Sequence, residues 1–309
     1  MSTMTERSSK RIIGIVCALI GGALWGFSGS CAQLVFQVYH LDPLWVMAAR
    51  AGIAGVVMVF FLFYKGKSVL DVFHNKRDTI SLLVYVVLGL AFMQLTYLMA
   101  IDSSNAGTAT VLMYIGPVLV VLYVCIRSRK KPNWREIVSL VFVVMGTFLL
   151  ATHGDISQMV ITPAGLFWGL MAAVAMVFYT VLPQHLIARY GNATIISWAL
   201  IICGVIMCAW QRPWENIPQM GADGWIALVL GLTLIGTILA FYLYYQGVKF
   251  VGPSDTSVLA SVETVSATLL SALWLGTPFE LIDIAGMVLI VLTVPLLGLH
   301  RENREKART

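Results

Sequence analysis

Ten apolar runs, each near the length that crosses a bilayer, follow one another along the chain and are divided only by short turn-forming segments. A spanning helix needs about 20 mainly apolar residues, so ten of them occupy roughly 200 positions and leave little beyond connections and tails. The predicted spans are 12–38, 44–64, 80–101, 108–126, 137–152, 163–182, 193–210, 225–248, 256–274 and 281–299. Asp42-Pro43, Lys131-Pro132-Asn133, Gly191-Asn192, Arg212-Pro213, Gly252-Pro253 and Gly276-Thr277-Pro278 punctuate them. Composition agrees: 59 % of the 309 residues are hydrophobic and 11 % charged, against about 25 % charged in a soluble domain.

Charge placement tests the count, because short cytoplasmic loops collect lysine and arginine. With the N-terminus inside, 18 of the 20 basic residues fall on the cytoplasmic side. Arg212 alone lies in an external loop, and Arg50 lies in the second span near its outer end, close enough to snorkel to the surface. The net charge of +5 therefore reads as topology, and no nucleic-acid partner is expected. Arg7, Lys10 and Arg11 precede a first run too long for a cleaved signal peptide, whose apolar core has about 7 to 15 residues. Cys17, Cys31, Cys125, Cys203 and Cys208 sit inside apolar runs with no metal-ligand spacing.

The chain also repeats itself at offsets of 142 to 147 residues. Gly22-Ala23-Leu24-Trp25-Gly26 recurs as Gly165-Leu166-Phe167-Trp168-Gly169, a GxxWG pattern whose glycines, one turn apart, permit close helix approach. Leu88-Gly89-Leu90 matches Leu230-Gly231-Leu232, Tyr97-Leu98 matches Tyr242-Leu243, Gly107 matches Gly252 and Glu136 matches Asp283, all in order. Five helices per copy is an odd number, so the second copy enters the membrane inverted. The fold class is thus all-α: ten transmembrane helices in two inverted five-helix repeats. The expected organisation is a cytoplasmic N-terminal tail (1–11), a first repeat (12–152), an external linker (153–162), a second repeat (163–299) and a basic cytoplasmic tail (300–309).

The layout, Leu24-Trp25-Gly26 in the first helix, Asn105-Ala106-Gly107-Thr108-Ala109 entering the fourth and Ser261-Val262-Glu263 in the ninth resemble the EamA-type members of the drug/metabolite transporter superfamily. The resemblance covers nearly the whole chain. It implies a plasma-membrane carrier, often an exporter of amino acids, other metabolites or toxic compounds, with a central cavity between the halves. The sequence departs from the family's Glu-Pro pairs: Gly116-Pro117 lacks the acid and Glu263-Thr264 lacks the proline.

Glu263 is the only carboxylate placed deep in a span, about seven residues into the ninth. Charge at that depth costs at least a few kcal/mol, so such an acid is a functional candidate. Proton coupling, binding of a substrate amine and a structural role all fit it. The other candidates for the cavity wall are Trp25 and Ser28 (with Ala32 and Gln33) on helix one, Gln94 and Tyr97 on helix three, and Thr110 and Tyr114 on helix four. Trp168 and Tyr179 on helix six and Tyr242, Tyr245 and Gln246 on helix eight complete the set. Such groups suit a mainly apolar pocket with a few orienting hydrogen bonds. Helices one to four and six to nine are expected around it, with five and ten peripheral.

An enzyme is not indicated. His40, His74, His153, His185 and His300 all lie in or beside loops, and no GxxxxGK[ST] phosphate cradle occurs. The reading is a secondary-active transporter, exporting small organic metabolites by alternating access in a bacterial plasma membrane with both termini cytoplasmic. A non-transporting receptor or assembly subunit is the alternative. Expected partners are a small-molecule substrate, membrane lipid and protons as coupling ion, with no cofactor or metal, in a monomer or homodimer.

Overall fold

The computed structural model describes residues 2–65, 67–103, 106–158, 162–275 and 280–306. Asn105, the turn at Gly276-Thr277-Pro278 and the side chains of Gln33 and Thr108 lie outside the described residues. Among the described residues nine helices are long and apolar enough to cross a membrane: α1 (Ser9–Phe36), α2 (Pro43–Tyr64), α3 (Lys76–Ala100), α4 (Ala109–Ser128), α5 (Trp134–Thr152), α6 (Pro163–Tyr190), α7 (Asn192–Gln211), α8 (Ala222–Val251) and α9 (Pro253–Trp274). A shorter apolar stretch, α10 (Leu281–Val294), completes ten. No strand occurs among the described residues. In lipid every backbone polar group must be satisfied within the segment, which leaves the helix as the form for these runs.

Helix six runs past its expected end at Leu182. The chain makes one turn at Leu182-Pro183, resumes as Gln184–Tyr190 and stops at Gly191, whose φ of +86° is left-handed. Gly252, φ +92°, is the single residue between α8 and α9, a reversal that a side chain would strain.

The packing obeys the repeat. α1 packs along α8 and α9, and its counterpart α6 packs along α3 and α4. α2 pairs with α7, and α5 with α10. Matched acids also do matched work: Glu136 accepts from the Asn133 N–H at 2.9 Å to close a capping box on α5, and Asp283 accepts from the Glu280 N–H at 2.8 Å at the start of α10. Where α1 ends, the Tyr39 hydroxyl donates to Asp223 Oδ1 at the start of α8, 2.6 Å away. At the opposite end the Tyr190 hydroxyl, closing α6, donates to Asp78 Oδ2 at the start of α3, again 2.6 Å away. Arg189 adds an ion pair there at 2.7 Å. The Asp223 carboxylate, by accepting that bond, holds the Tyr39 phenol above its ordinary range.

The third helix of each half is widened into π-helical turns, over Tyr85–Ala91 in α3 and Ala227–Leu239 in α8. Thr233 and Thr237 bond back five residues to the Leu228 and Leu232 carbonyls, each at 2.8 Å. Such turns are uncommon and concentrate near functional sites.

Candidate functional site

The fourth helix of each half is broken at the same place. The helical pieces are Ala106–Met113, which runs into α4, and Gly116–Ser128; along α9 they are Pro253–Leu259 and Val262–Leu275, the last running one residue past that span. In α4 the cause is Pro117, which has no N–H to continue the ladder. α9 has no proline at its break. There Ser261 Oγ donates to the Val258 carbonyl at 2.6 Å and Thr264 Oγ1 to the Ser261 carbonyl at 2.9 Å, so hydroxyls compete for the carbonyls that an unbroken helix would use. The two departures from Glu-Pro are thereby accounted for: each break keeps one member of the pair and is made by different chemistry.

The breaks face one another. The Tyr114 hydroxyl, at the break of α4, donates to Glu263 Oε2 just past the break of α9, at 3.1 Å. Glu263 lies ten residues beyond Pro253 in a span of 22, the middle of the helix. Tyr97 and Thr110 share a hydroxyl bond of 2.9 Å beside it. The GxxWG glycines make this approach possible. A Cβ on Gly22 would stand 2.6 Å from the Ala260 carbonyl oxygen, and one on Gly26 would meet Ser266 Oγ, the Glu263 carbonyl and, at 2.7 Å, the Ala267 nitrogen. In the other half a Cβ on Gly169 would stand 2.6 Å from Leu112 Cδ1, next to the α4 break.

Against this pair lies an aromatic cluster. Trp25 packs on Tyr244, Phe241 and Tyr179 with ring centroids 5.0, 5.6 and 6.3 Å away. Tyr245 donates its one hydroxyl hydrogen to the Tyr179 carbonyl at 2.7 Å, so in its 2.7 Å contact with Tyr85 it is Tyr85 that donates. Thr180 Oγ1 and the Tyr244 hydroxyl are 2.8 Å apart. The Tyr179 hydroxyl is buried with no hydrogen-bond partner among the described residues.

Trp25, Gln94, Tyr97, Tyr114, Tyr179, Tyr245 and Glu263 are thus placed on the inward faces of their helices. Ser28 is buried where α1 meets Gly236 of α8. Two candidates stand apart. Trp168 has its ring contact with the exposed Phe167 beside it. Tyr242 is 36 % exposed and accepts from Gln246 Nε2 at 2.9 Å, because the buried arc of this part of α8 centres on Tyr244, Tyr245 and Val248. Tyr85, Tyr244, Phe241 and Arg50 were not among the expected wall residues. Arg50 does not snorkel outward: its Nη2 donates to Gln94 Oε1 of α3, inside the bundle. The signal for it is a basic residue in mid-run with no acid within one helical turn.

Comparison with known proteins decides the family. The sequence profile of the EamA-like transporter family matches residues 12–152 and 163–299. The chain belongs to the EamA-like transporter family. This EamA-like chain is 35 % identical over 294 residues to the "Uncharacterized inner membrane transporter YicL" of Salmonella typhimurium, covering 95 % of the present chain and 98 % of that one. It is 22 % identical to the "Uncharacterized transporter YyaM" of Bacillus subtilis, covering 91 % and 92 % of the two. A solved structure titled "Crystal structure of protein" superposes with a TM-score of 0.73 at 19 % identity, over 95 % of this chain and 98 % of that one, and shares the fold. The EamA-like chain is accordingly a multi-pass membrane transporter.

Proposed function

We propose that this transporter is a secondary-active exporter of small organic metabolites, working by alternating access of its two inverted halves around the Tyr114–Glu263 contact. The observation that carries the reading is that contact itself: one broken helix from each half, bonded at mid-span. Broken helices at mid-membrane are where inverted-repeat transporters bind substrate and coupling ions. A rocking of one half against the other must lengthen or break the Tyr114–Glu263 bond and present the acid to first one side and then the other. Glu263 exchanges a proton in that cycle, and the neighbouring aromatic rings of Trp25, Tyr179 and Tyr245 supply the apolar wall for amino acids, amphipathic amines or drug-like compounds. The gathering of 18 of the 20 basic residues on one side supports a bacterial plasma-membrane protein with both termini cytoplasmic, and the working unit in this reading is a monomer or homodimer.

Substrate-stimulated counterflow in proteoliposomes is the test. Purified wild-type protein is expected to exchange labelled for unlabelled metabolite. Specific binding without any exchange would instead make the chain a receptor.

A further inference from the structure

Arg50 is the one lysine or arginine that lies away from the ends of the spans, seven residues beyond Pro43 in α2. Its side chain is enclosed by protein and still partly accessible. Among the described residues its only hydrogen bond goes to the neutral Gln94 amide, and it forms no ion pair. Nearby, Cys203 of α7 packs in one apolar core with Tyr85, Tyr179 and Tyr245 of the aromatic cluster. A guanidinium carries five N–H donors in one plane, and Gln94 occupies one of them. A cation in the apolar interior without a counter-charge is costly, and breaking up such a pair leaves the same cost behind. A structural staple would use an acid here or an uncharged donor. A second donor also stands unused in the same cluster, the Tyr179 hydroxyl, which is 5 % exposed and unpartnered among the described residues.

We propose that Arg50 is the anion-binding residue of the transport site, and that the exported molecule carries a carboxylate which docks on the free edge of its guanidinium. This rests on the transport reading and narrows its substrate class. Two parallel N–H groups match the two oxygens of a carboxylate. A single negative charge cancels that of Arg50, whereas a phosphate dianion would leave net charge in the apolar interior. Gln94 holds the guanidinium in place while the site is empty.

The test is a thermal-shift titration of the purified full-length protein in detergent at fixed ionic strength. The probes are phenylacetate, indole-3-acetate and 4-methylpentanoate, each paired with its primary amide, and benzylphosphonate. At least one carboxylate is expected to raise the melting temperature saturably while its amide does not. Arg50→Gln should weaken that response at least about tenfold, the loss of a hydrogen bond to a charged group, and Arg50→Lys should keep part of it. The comparison of each carboxylate with its amide on the wild-type protein keeps the inference testable even if Arg50→Gln does not fold. It is overturned if no carboxylate acts, if the amides act equally, if Arg50→Gln responds like the wild type, or if the phosphonate binds more tightly than every carboxylate. Counterflow of phenylethylamine in proteoliposomes together with indifference to the carboxylates would overturn this inference and leave transport standing. Carboxylate binding without counterflow of any probe would do the reverse.

Discussion

Tyr114 and Glu263 are joined by a 3.1 Å hydrogen bond although 149 residues separate them, and each stands at the break in the fourth helix of its own half. The bond therefore spans the boundary between the halves at the depth where both helices are interrupted. Few other places in the bundle would register a relative movement of the halves so directly.

If Glu263 exchanges a proton in each cycle, Glu263→Gln should abolish proton-driven accumulation while substrate-for-substrate exchange continues, and the pH dependence of transport should flatten. Flux across a pH gradient, set beside counterflow at equal pH, separates these outcomes. Loss of exchange together with accumulation would assign the acid to binding a substrate amine, and a wild-type pH profile would make it structural.

Gly26→Leu is expected to be worse than Gly169→Leu. A Cβ at Gly26 meets backbone of α9, which cannot give way, whereas at Gly169 it meets the Leu112 side chain, which can rotate. Overpacking of this kind costs about 1 to 3 kcal/mol and occasionally more. Fluorescence-detected size exclusion should show little monodisperse protein for the first variant and a destabilised but folded peak for the second. Equal yields would count against the close-approach account.

Asp78→Asn should lower the melting temperature, since it removes the ion pair to Arg189 and weakens a charge-assisted bond from Tyr190 at a site where Asp78 is 5 % exposed. A loss of about 1 to 3 kcal/mol is the ordinary range for such a bond. Tyr39→Phe, at the exposed counterpart, should change the melting temperature much less. A larger effect from Tyr39→Phe would reverse the assigned order of the two ties.

The expected topology can be read with fusions after Thr309. A reporter that works only in the cytoplasm should be active there, because the lysines and arginines outside the membrane interior divide 18 to 1 between the two sides. Activity of a periplasm-only reporter at the same point would refute it.

Much of this architecture is legible in the chain. Apolar runs and turn residues mark the spans because lipid imposes both length and polarity, and GxxWG marks the close approach because only glycine permits it. Other features leave no local trace. The break in α9 is made by Ser261 and Thr264, residues that also occur in unbroken membrane helices, so no proline announces it. A 3.6-residue reading cannot see the π-helical turns of α3 and α8, and Tyr85 in the first of them was missed. Helical spacing puts Tyr242 on one face with Tyr245 and Gln246, and the repeat matches it to Tyr97, yet Tyr242 pairs with Gln246 at the rim whereas Tyr97 pairs with Thr110 inside. Arg50 was misplaced because depth along a helix does not reveal direction around it; only the position of Gln94 on the neighbouring α3 does.

The pairings of α2 with α7 and of α5 with α10 have one further property. Exchanging the halves sends α1 against α9 into α6 against α4, a different contact, but it sends each of these two pairs into itself. In a cycle that opens the molecule to one side and then to the other by letting the halves trade shapes, these two seams, like the α4–α9 crossing that carries the Tyr114–Glu263 bond, need no counterpart elsewhere in the bundle. The α2–α7 and α5–α10 pairs can act as stationary axles while the contacts of α1 with α8 and α9 exchange form with those of α6 with α3 and α4.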